Sequence, residues 1–301
     1  MKAIPEAVIL WPGVSGSTLG HYRDLSVVLP NFPRDARVFA VVHWGNFHEL
    51  FERPSTRMTA RRMVKRVTGF VFLNETLKSR AAKWIPEEKQ IVIPNTIEES
   101  VQLTEDELTS KRMAREARST MRLLYLGSMT PTKGWADVMR SVEILRKQNI
   151  EVHLDLVGRW ESDQAKAAYS DYVMQHGLTD AIYHHGAVSD RSHIKMLYAQ
   201  ADAFVLPTYY PTEAQPLTII EALNAGTPVI TTRHAGIPEM IDQGIEGLFV
   251  EPKQPEAIAA AVQQISGFKD WRAMSVAARH RFDRQFEPGI VRRKWLSLVS
   301  N

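Results

Sequence analysis

The stretch from Ala201 to Thr231 narrows what this chain can fold into. Ala203-Phe204-Val205-Leu206 is an apolar run closed by Pro207 and reads as a strand. A polar turn follows. From Leu217, apolar residues recur at helical spacing, at Leu217, Ile219, Ile220 and Leu223. Pro216 has the φ wanted in a helix's first turn, where its missing N–H costs nothing. Gly226 stops the helix, Pro228 follows, and Val229-Ile230-Thr231 reads as a buried strand. Strands alternating with helices in this way predict an α/β domain built on a parallel, doubly wound sheet.

Two glutamates eight positions apart punctuate the stretch, Glu213 in the turn and Glu221 on the helix. The helical neighbours of Glu221 are Leu217, Thr218, Ala222 and Ala225, so it lies on or beside a face that ought to be dry. Burying a carboxylate unpaired costs several kcal/mol. One reading is a structural Glu paired with an Arg or Lys. The other is a carboxylate accepting hydrogen bonds from ligand hydroxyls, which the second acid and the turn between them favour.

The alternation extends from Met121 to Ile265. Strands are expected at Met121–Leu126, 151–157, 182–184 and 247–250, with helices over 135–147, 163–175 and 255–265. After the first of these strands the loop carries Gly127, Ser128 and Lys133. Lys133 stands just before a helix N-terminus, where the dipole disfavours a cation. The same place welcomes an anion, so a lysine there makes most sense beside a bound phosphate. Gly127, Lys133, Glu213 and Glu221 all fall at strand ends or helix starts, the side on which α/β sheets present ligands. His184 and His185 suggest metal, but no acidic or histidine partner lies at ligand spacing along the chain. No Asp-x-Asp occurs. No metal ligand set and no obligatory metal or other cofactor is therefore expected.

Before residue 120 about four strands can be read, at 7–11, 37–42, 69–73 and 90–93, against six in a full dinucleotide-binding sheet. The expected division is 1–118, an incomplete first domain with a linker, and 119–301, a second domain with tail helices that return to the first. The linker, partly helical, is placed at 97–119 because that stretch is highly charged and nearly free of aromatics. A glycine-rich segment after the first strand, Pro12 to Gly20, fits neither common phosphate-loop spacing and reads as a flexible connection before a helix over 19–29. His43 ends a strand in His43-Trp44-Gly45, again on the ligand side. Arg57, Arg61, Arg62, Lys65 and Arg66 crowd one helix: a solvated basic face, or a contact with an anionic bilayer.

Composition removes several classes. The 301 residues include no cysteine, which excludes disulfides and thiol catalysis. The net charge of +3 and pI near 9.0 suit an anionic partner such as a nucleotide diphosphate but do not indicate nucleic acid. Lys2, Pro5 and Pro12 do not frame a signal peptide, and no run approaches the ~20 apolar residues of a membrane span.

The Glu213/Glu221 spacing resembles the Glu-x7-Glu signature of retaining, family-4-like (group 1) glycosyltransferases of the GT-B fold. The family's usual turn is Glu-Gly-Phe-Gly-Leu; here it is Glu213-Ala214-Gln215-Pro216-Leu217. The resemblance implies two Rossmann-like domains, the N-terminal one incomplete. It implies that Glu213 contacts the donor sugar and Glu221 the ribose. It places the amides of Ala214, Gln215, Pro216 and Leu217 toward sugar and diphosphate, where proline supplies none, and His43 near the acceptor. Ser128 occupies the position of a usual phosphate-clamping arginine, while Lys133 keeps the lysine. Residues 182–188 would lie beside the nucleotide base. The implied activity is retaining transfer from a nucleotide-diphosphate sugar to a glycan or lipid-linked glycan in envelope or exopolysaccharide assembly. Such an enzyme would be cytoplasmic, free or peripheral at an anionic membrane surface. The alternative is a non-catalytic nucleotide-sugar-binding subunit, or a remnant needing a partner chain. A dehydrogenase reading fails for want of the glycine fingerprint.

Overall fold

In the computed structural model, which describes residues 7–300, the chain forms two compact units. The first holds the chain to Asn95, then 211–215 and the segment from Gly289; the second holds Thr96–Tyr210 and Pro216–Pro288. Lys2 and Pro5, on which the expectation against a signal peptide partly rests, lie outside the described residues.

The first unit is a parallel sheet in the order β1 (Val8–Trp11), β2 (Arg37–Val42), β3 (Gly69–Phe72), β4 (Gln90–Val92). Val38 to Val42 and Gly69 to Phe72 are buried throughout, as continuous apolar runs in a sheet covered on both faces should be. The crossovers carry α1 (Thr18–Arg23), α2 (Glu49–Glu52), α3 (Arg57–Arg66) and α4 (Glu75–Ala81). The final helix, α12 (Pro288–Ser300), lays Val291, Trp295 and Leu298 against this unit's core.

The helix foreseen over 19–29 forms, but not as one uniform α-helix: α1 passes at Asp24 into a wider helical turn over Asp24–Val28 and a tighter one over Leu29–Asn31. The flexible connection expected before it does not hold. Asp24 is buried because its carboxylate accepts the amide of Ser15 at 2.7 Å. The glycine-rich segment is correspondingly pinned, with Val14 N–H donating to the Val41 carbonyl.

The second unit is a six-stranded parallel sheet of β5 (Met121–Leu126), β6 (Val152–Val157), β7 (Ile182–His184), β8 (Ala203–Leu206), β9 (Val229–Thr231) and β10 (Gly247–Phe249). Its order is β10-β9-β8-β5-β6-β7. Helices α6 (Trp135–Lys147), α7 (Asp163–Gln175), α8 (Arg191–Gln200), α9 (Leu217–Asn224), α10 (Pro255–Gln264) and α11 (Phe268–Gln285) cover it. In α9, Ile219, Ile220 and Leu223 enter the core, but Leu217 is half exposed, and Pro216 precedes the helix instead of opening it.

The charged stretch 97–119 belongs to this second unit and does not behave as a linker. Ile97, Val101, Leu103 and Leu108 join its core, and α5 (Glu105–Glu116) opens on a reciprocal Thr104/Glu107 cap. Two of its cations, Lys111 and Arg115, are buried, each with partners. Lys111 donates to the carbonyls of Tyr198 and Ala225 and to the Thr227 hydroxyl. Arg118 meets Asp202 at 2.6 Å, and Arg115 lies 3.8 Å from the same carboxylate.

Candidate functional site

The chain lays down β5, β6 and β7 in one direction, then β8, β9 and β10 in the other, so the order reverses between β5 and β8. Open α/β sheets bind ligands at such a reversal, beyond the carboxyl ends of the strands. The loops that leave β5 and β8 meet there. Tyr209 N–H donates to the Thr132 carbonyl at 2.8 Å. Gly134 caps α6 with a φ of 78°, and a Cβ at Gly134 would lie 2.7 Å from the Pro207 carbonyl oxygen. Only glycine satisfies both demands. The ammonium of Lys133 sits 5.0 Å from the centre of the Tyr210 ring, at the start of α6.

Gly127 directly follows β5, at the start of the same loop. A Cβ on the neighbouring Gly158 would fall 1.8 Å from the Gly127 carbonyl oxygen, so β5 and β6 end in direct backbone contact. Ser128 is exposed, its hydroxyl 3.4 Å from that of Thr130. Beyond Gly158 a cleft of about 760 Å³ opens among Gly158, Arg159, Trp160, Lys166, His184 and Gly186. Burial lowers the pKa of His184, partly offset by its contact with the Gly158 carbonyl at 3.1 Å. Residues 184–187 line this cleft, within the segment read as base-proximal, whereas Trp160 and Lys166 were not singled out from sequence. The signal was present in Trp160, a large aromatic two places after a strand-end glycine.

His185 has an acidic partner after all. Its Nε2 lies 2.7 Å from Asp155 Oδ1, and His153 approaches the same oxygen at 3.4 Å. Thirty residues separate His185 from Asp155, so spacing along the chain could not reveal the pair.

Glu221 is 6% exposed, and its Oε1 accepts from Arg191 Nη2 at 2.6 Å. Burial lowers the Arg191 pKa, but the hydrogen bond and charge of Glu221, with Glu98, raise it on balance. Burial, then the charge of Glu221, drives the Tyr198 phenol well above its ordinary range. Glu221 is thus the paired carboxylate of the first reading. A carboxylate offers about four acceptor positions, so pairing with Arg191 leaves room for hydroxyl donors as well.

Glu213 belongs to the other unit, with Ala214 and Gln215. It is buried at 8% exposure. Its turn runs along the carboxyl ends of β2, β3 and β4. Gly45 N–H donates to the Thr212 carbonyl at 3.1 Å, and a Cβ on Gly45 would lie 1.8 Å from the Glu213 carbonyl oxygen. Asn74 caps α4 through its Oδ1 and donates from Nδ2 to the Ala214 carbonyl at 3.1 Å. Gln215 accepts from Asn95 N–H at 2.7 Å and donates to the Leu73 carbonyl at 3.0 Å. The first unit therefore brings Glu213 and the His43-Trp44-Gly45 element together. The second unit brings together Lys133 and the loops of the reversal. Burial at the end of β2 lowers the His43 pKa, against a hydrogen bond to the Pro12 backbone that raises it.

Residues 120–267 match the family model described as glycosyl transferases group 1. Over 191 residues the chain is 30% identical to an uncharacterized glycosyltransferase of Methanocaldococcus jannaschii, a match covering 62% of this chain and 46% of that protein. It is 26% identical over 185 residues to the amylovoran biosynthesis glycosyltransferase AmsK of Erwinia amylovora, covering 60% of this chain and 44% of that one. The matches thus span about half the length of these relatives. Anabaena HepE, solved in complex with UDP, superposes with a TM-score of 0.79 at 15% identity, over 98% of this chain and 78% of that one. Residues 120–267 thus match a group 1 glycosyltransferase domain, and the chain has the fold of solved GT-B glycosyltransferases.

Proposed function

We propose that this chain transfers a sugar from a nucleotide-diphosphate sugar to an acceptor hydroxyl with retention, in the assembly of an envelope or exopolysaccharide glycan. The observation that carries the reading is the meeting of the β5 and β8 loops at the reversal, with Lys133 at the head of α6. The UDP complex of HepE and the biosynthetic role in the name of AmsK support it.

In this reading Lys133 neutralises the donor diphosphate, helped by the first amides of α6. Gly127 and Ser128 line the approach to it. Glu221, held in orientation by Arg191, accepts from the ribose hydroxyls. The cleft beside Trp160 and His184 takes the base. Glu213 orients the transferred sugar, the backbone of 214–217 borders it, and His43 serves the acceptor side. The acceptor hydroxyl attacks the anomeric carbon on the face from which the diphosphate leaves, so configuration is kept. Charge building on the departing diphosphate is met by Lys133, and such stabilisation is commonly the largest single contribution to catalysis. The chain has no Asp-x-Asp, so Lys133 takes the part an obligatory metal would play.

The test is a calorimetric screen of UDP-, GDP- and ADP-sugars, with the anomer of the product read by NMR. One donor should bind, and Lys133→Ala should weaken it roughly ten- to hundredfold, the loss expected for a hydrogen bond to a charged group. Binding without transfer to any membrane-extracted acceptor would instead identify a donor-binding subunit. No binding to any nucleotide would defeat both readings.

A further inference from the structure

Lys111 lies on α5, is 6% exposed, and has no part in the transfer chemistry above. Its ammonium donates to the Tyr198 carbonyl at 2.8 Å, the Ala225 carbonyl at 2.9 Å and the Thr227 hydroxyl at 2.5 Å, which uses all of its protons. Both carbonyls stand at helix ends. Helix α8 closes where Ala201 N–H donates to the Leu197 carbonyl. The next amide, of Asp202, turns away to the Arg122 carbonyl, so Tyr198 C=O lacks the amide that a longer helix would give it. Ala225 is the C-cap of α9. One buried cation thus joins the carboxyl ends of two helices, where the dipoles favour positive charge.

The other contacts between these two helices converge on Glu221. Helix α8 begins with Arg191, whose Nη2 donates to Glu221 Oε1 at 2.6 Å. About two turns further along, the Tyr198 hydroxyl donates to the Thr218 carbonyl at 2.9 Å and lies within hydrogen-bond reach of the Glu221 carboxylate. The end of α9 is moored a second time at Asn224, whose carbonyl accepts from Arg279 and whose Oδ1 accepts from the Leu103 amide, each at 3.0 Å. Burial brings the Lys111 pKa down to about 7; the charge of Asp202 opposes this, and Arg118 and Arg112 add to it. The partners suit both protonation states. The ammonium donates to all three, and the neutral amine donates to the two carbonyls and accepts from the Thr227 hydroxyl.

We propose that Lys111 is a positioning residue for Glu221: by joining the carboxyl ends of α8 and α9 it keeps Arg191 and Tyr198 in register with the carboxylate that accepts from the donor ribose. The inference rests on the donor reading of Glu221. In this role Lys111 acts only through the Arg191–Glu221 pair, so removing it cannot cost more donor affinity than removing Arg191.

The experiment compares Lys111→Met, Arg191→Ala and the double variant. Lys111→Met should weaken nucleotide-sugar binding by calorimetry up to about tenfold, with the rate at saturating donor changed less than about twofold. In the Arg191→Ala background the same change should cost less than about twofold more, because members of one network are not additive. In the ligand-free protein, the Arg191 guanidinium ¹⁵N–H signal should exchange faster with water in Lys111→Met, while the amides of α6 exchange as in wild type. Thr227→Val removes one partner and keeps the lysine. It should give the same signature at smaller amplitude, and it carries the test if Lys111→Met does not fold. An unchanged Arg191 signal in a folded variant would overturn the proposal. So would additive losses, near a hundredfold in the double variant, and so would exchange that quickens in α6 to the same degree. A wild type that binds no nucleotide-sugar would instead defeat the donor reading, and the Arg191 signal would then decide by itself whether Lys111 holds the pair.

Discussion

Glu213 and Glu221 lie eight residues apart in the chain, yet they belong to different units and are fixed by different forces. The Glu213 turn is held by uncharged groups: the Gly45 amide, the Asn74 and Gln215 side-chain amides, and the Asn95 backbone. Glu221 is held by an ion pair with Arg191. The first arrangement depends on shape, because Gly45 admits the Glu213 carbonyl only by lacking a side chain. The second depends on charge, because a carboxylate this buried is costly without a cation beside it. Removing shape at one and charge at the other should therefore give separable phenotypes.

The largest effect is expected from Gly45→Ala. The added methyl would meet the Glu213 carbonyl oxygen, so the turn must shift. A displacement of about 1 Å can cost roughly a hundredfold in rate. Sugar transfer should fall by about that factor, with nucleotide affinity by calorimetry changed less than about twofold. An equal loss of both would show that Glu213 and the nucleotide site do not separate as the units do.

Arg191→Ala should have the complementary signature. Glu221 would keep its burial and lose its cation, costing about 1–3 kcal/mol in urea unfolding. Arg191 is itself 37% exposed, which keeps the figure below that of a fully buried pair. Nucleotide affinity should weaken about tenfold, while the rate at saturating donor changes little. Arg191→Lys should restore the charge but not the geometry, since an ammonium cannot reproduce the directed guanidinium contact. If alanine leaves both stability and affinity intact, the pair is incidental.

This division was only partly legible in the sequence. The runs at 38–42, 123–126 and 203–206 are continuously apolar, so they declared themselves as buried strands. The glutamate spacing and the placing of Lys133 before a helix marked the candidate site. What failed were places where a polar side chain is satisfied by a distant group. Lys111 and Arg115 made α5 look like a solvated linker, but carbonyls and Asp202 brought from far along the chain make their burial affordable. Asp24 turns inward to Ser15 and pins the glycine-rich segment that reads locally as a flexible connection. Asn74 reads as a helix cap, and nothing local says that its other end holds the Glu213 turn. Local pattern reports burial of apolar surface well and reports long-range polar pairing hardly at all.

The smallest expected effect tests whether acid sensitivity follows the same division. In the second unit, Glu143 on α6 is surrounded by donors. His176 Nδ1 lies 2.8 Å away and Lys147 Nζ 2.5 Å away, and the Tyr172 hydroxyl also contacts it. Burial would raise its pKa, but the hydrogen bonds from Lys147, Tyr172 and His176 outweigh this and bring it down to about 2. Burial and then Glu143 push the Tyr172 phenol up to about 12. A carboxylate depressed in the folded state stabilises the protein above its unfolded pKa, near 4.5. That contribution is lost as pH falls from there toward 2. Lys147 is 72% exposed, so solvent screening limits the whole contribution to about 1 kcal/mol or less. Glu143→Gln should accordingly be less stable than wild type at pH 7 and indistinguishable from it near pH 2.5, by urea unfolding at each pH. A deficit in Glu143→Gln that persists undiminished at pH 2.5 would mean that the cluster acts by packing and not by charge.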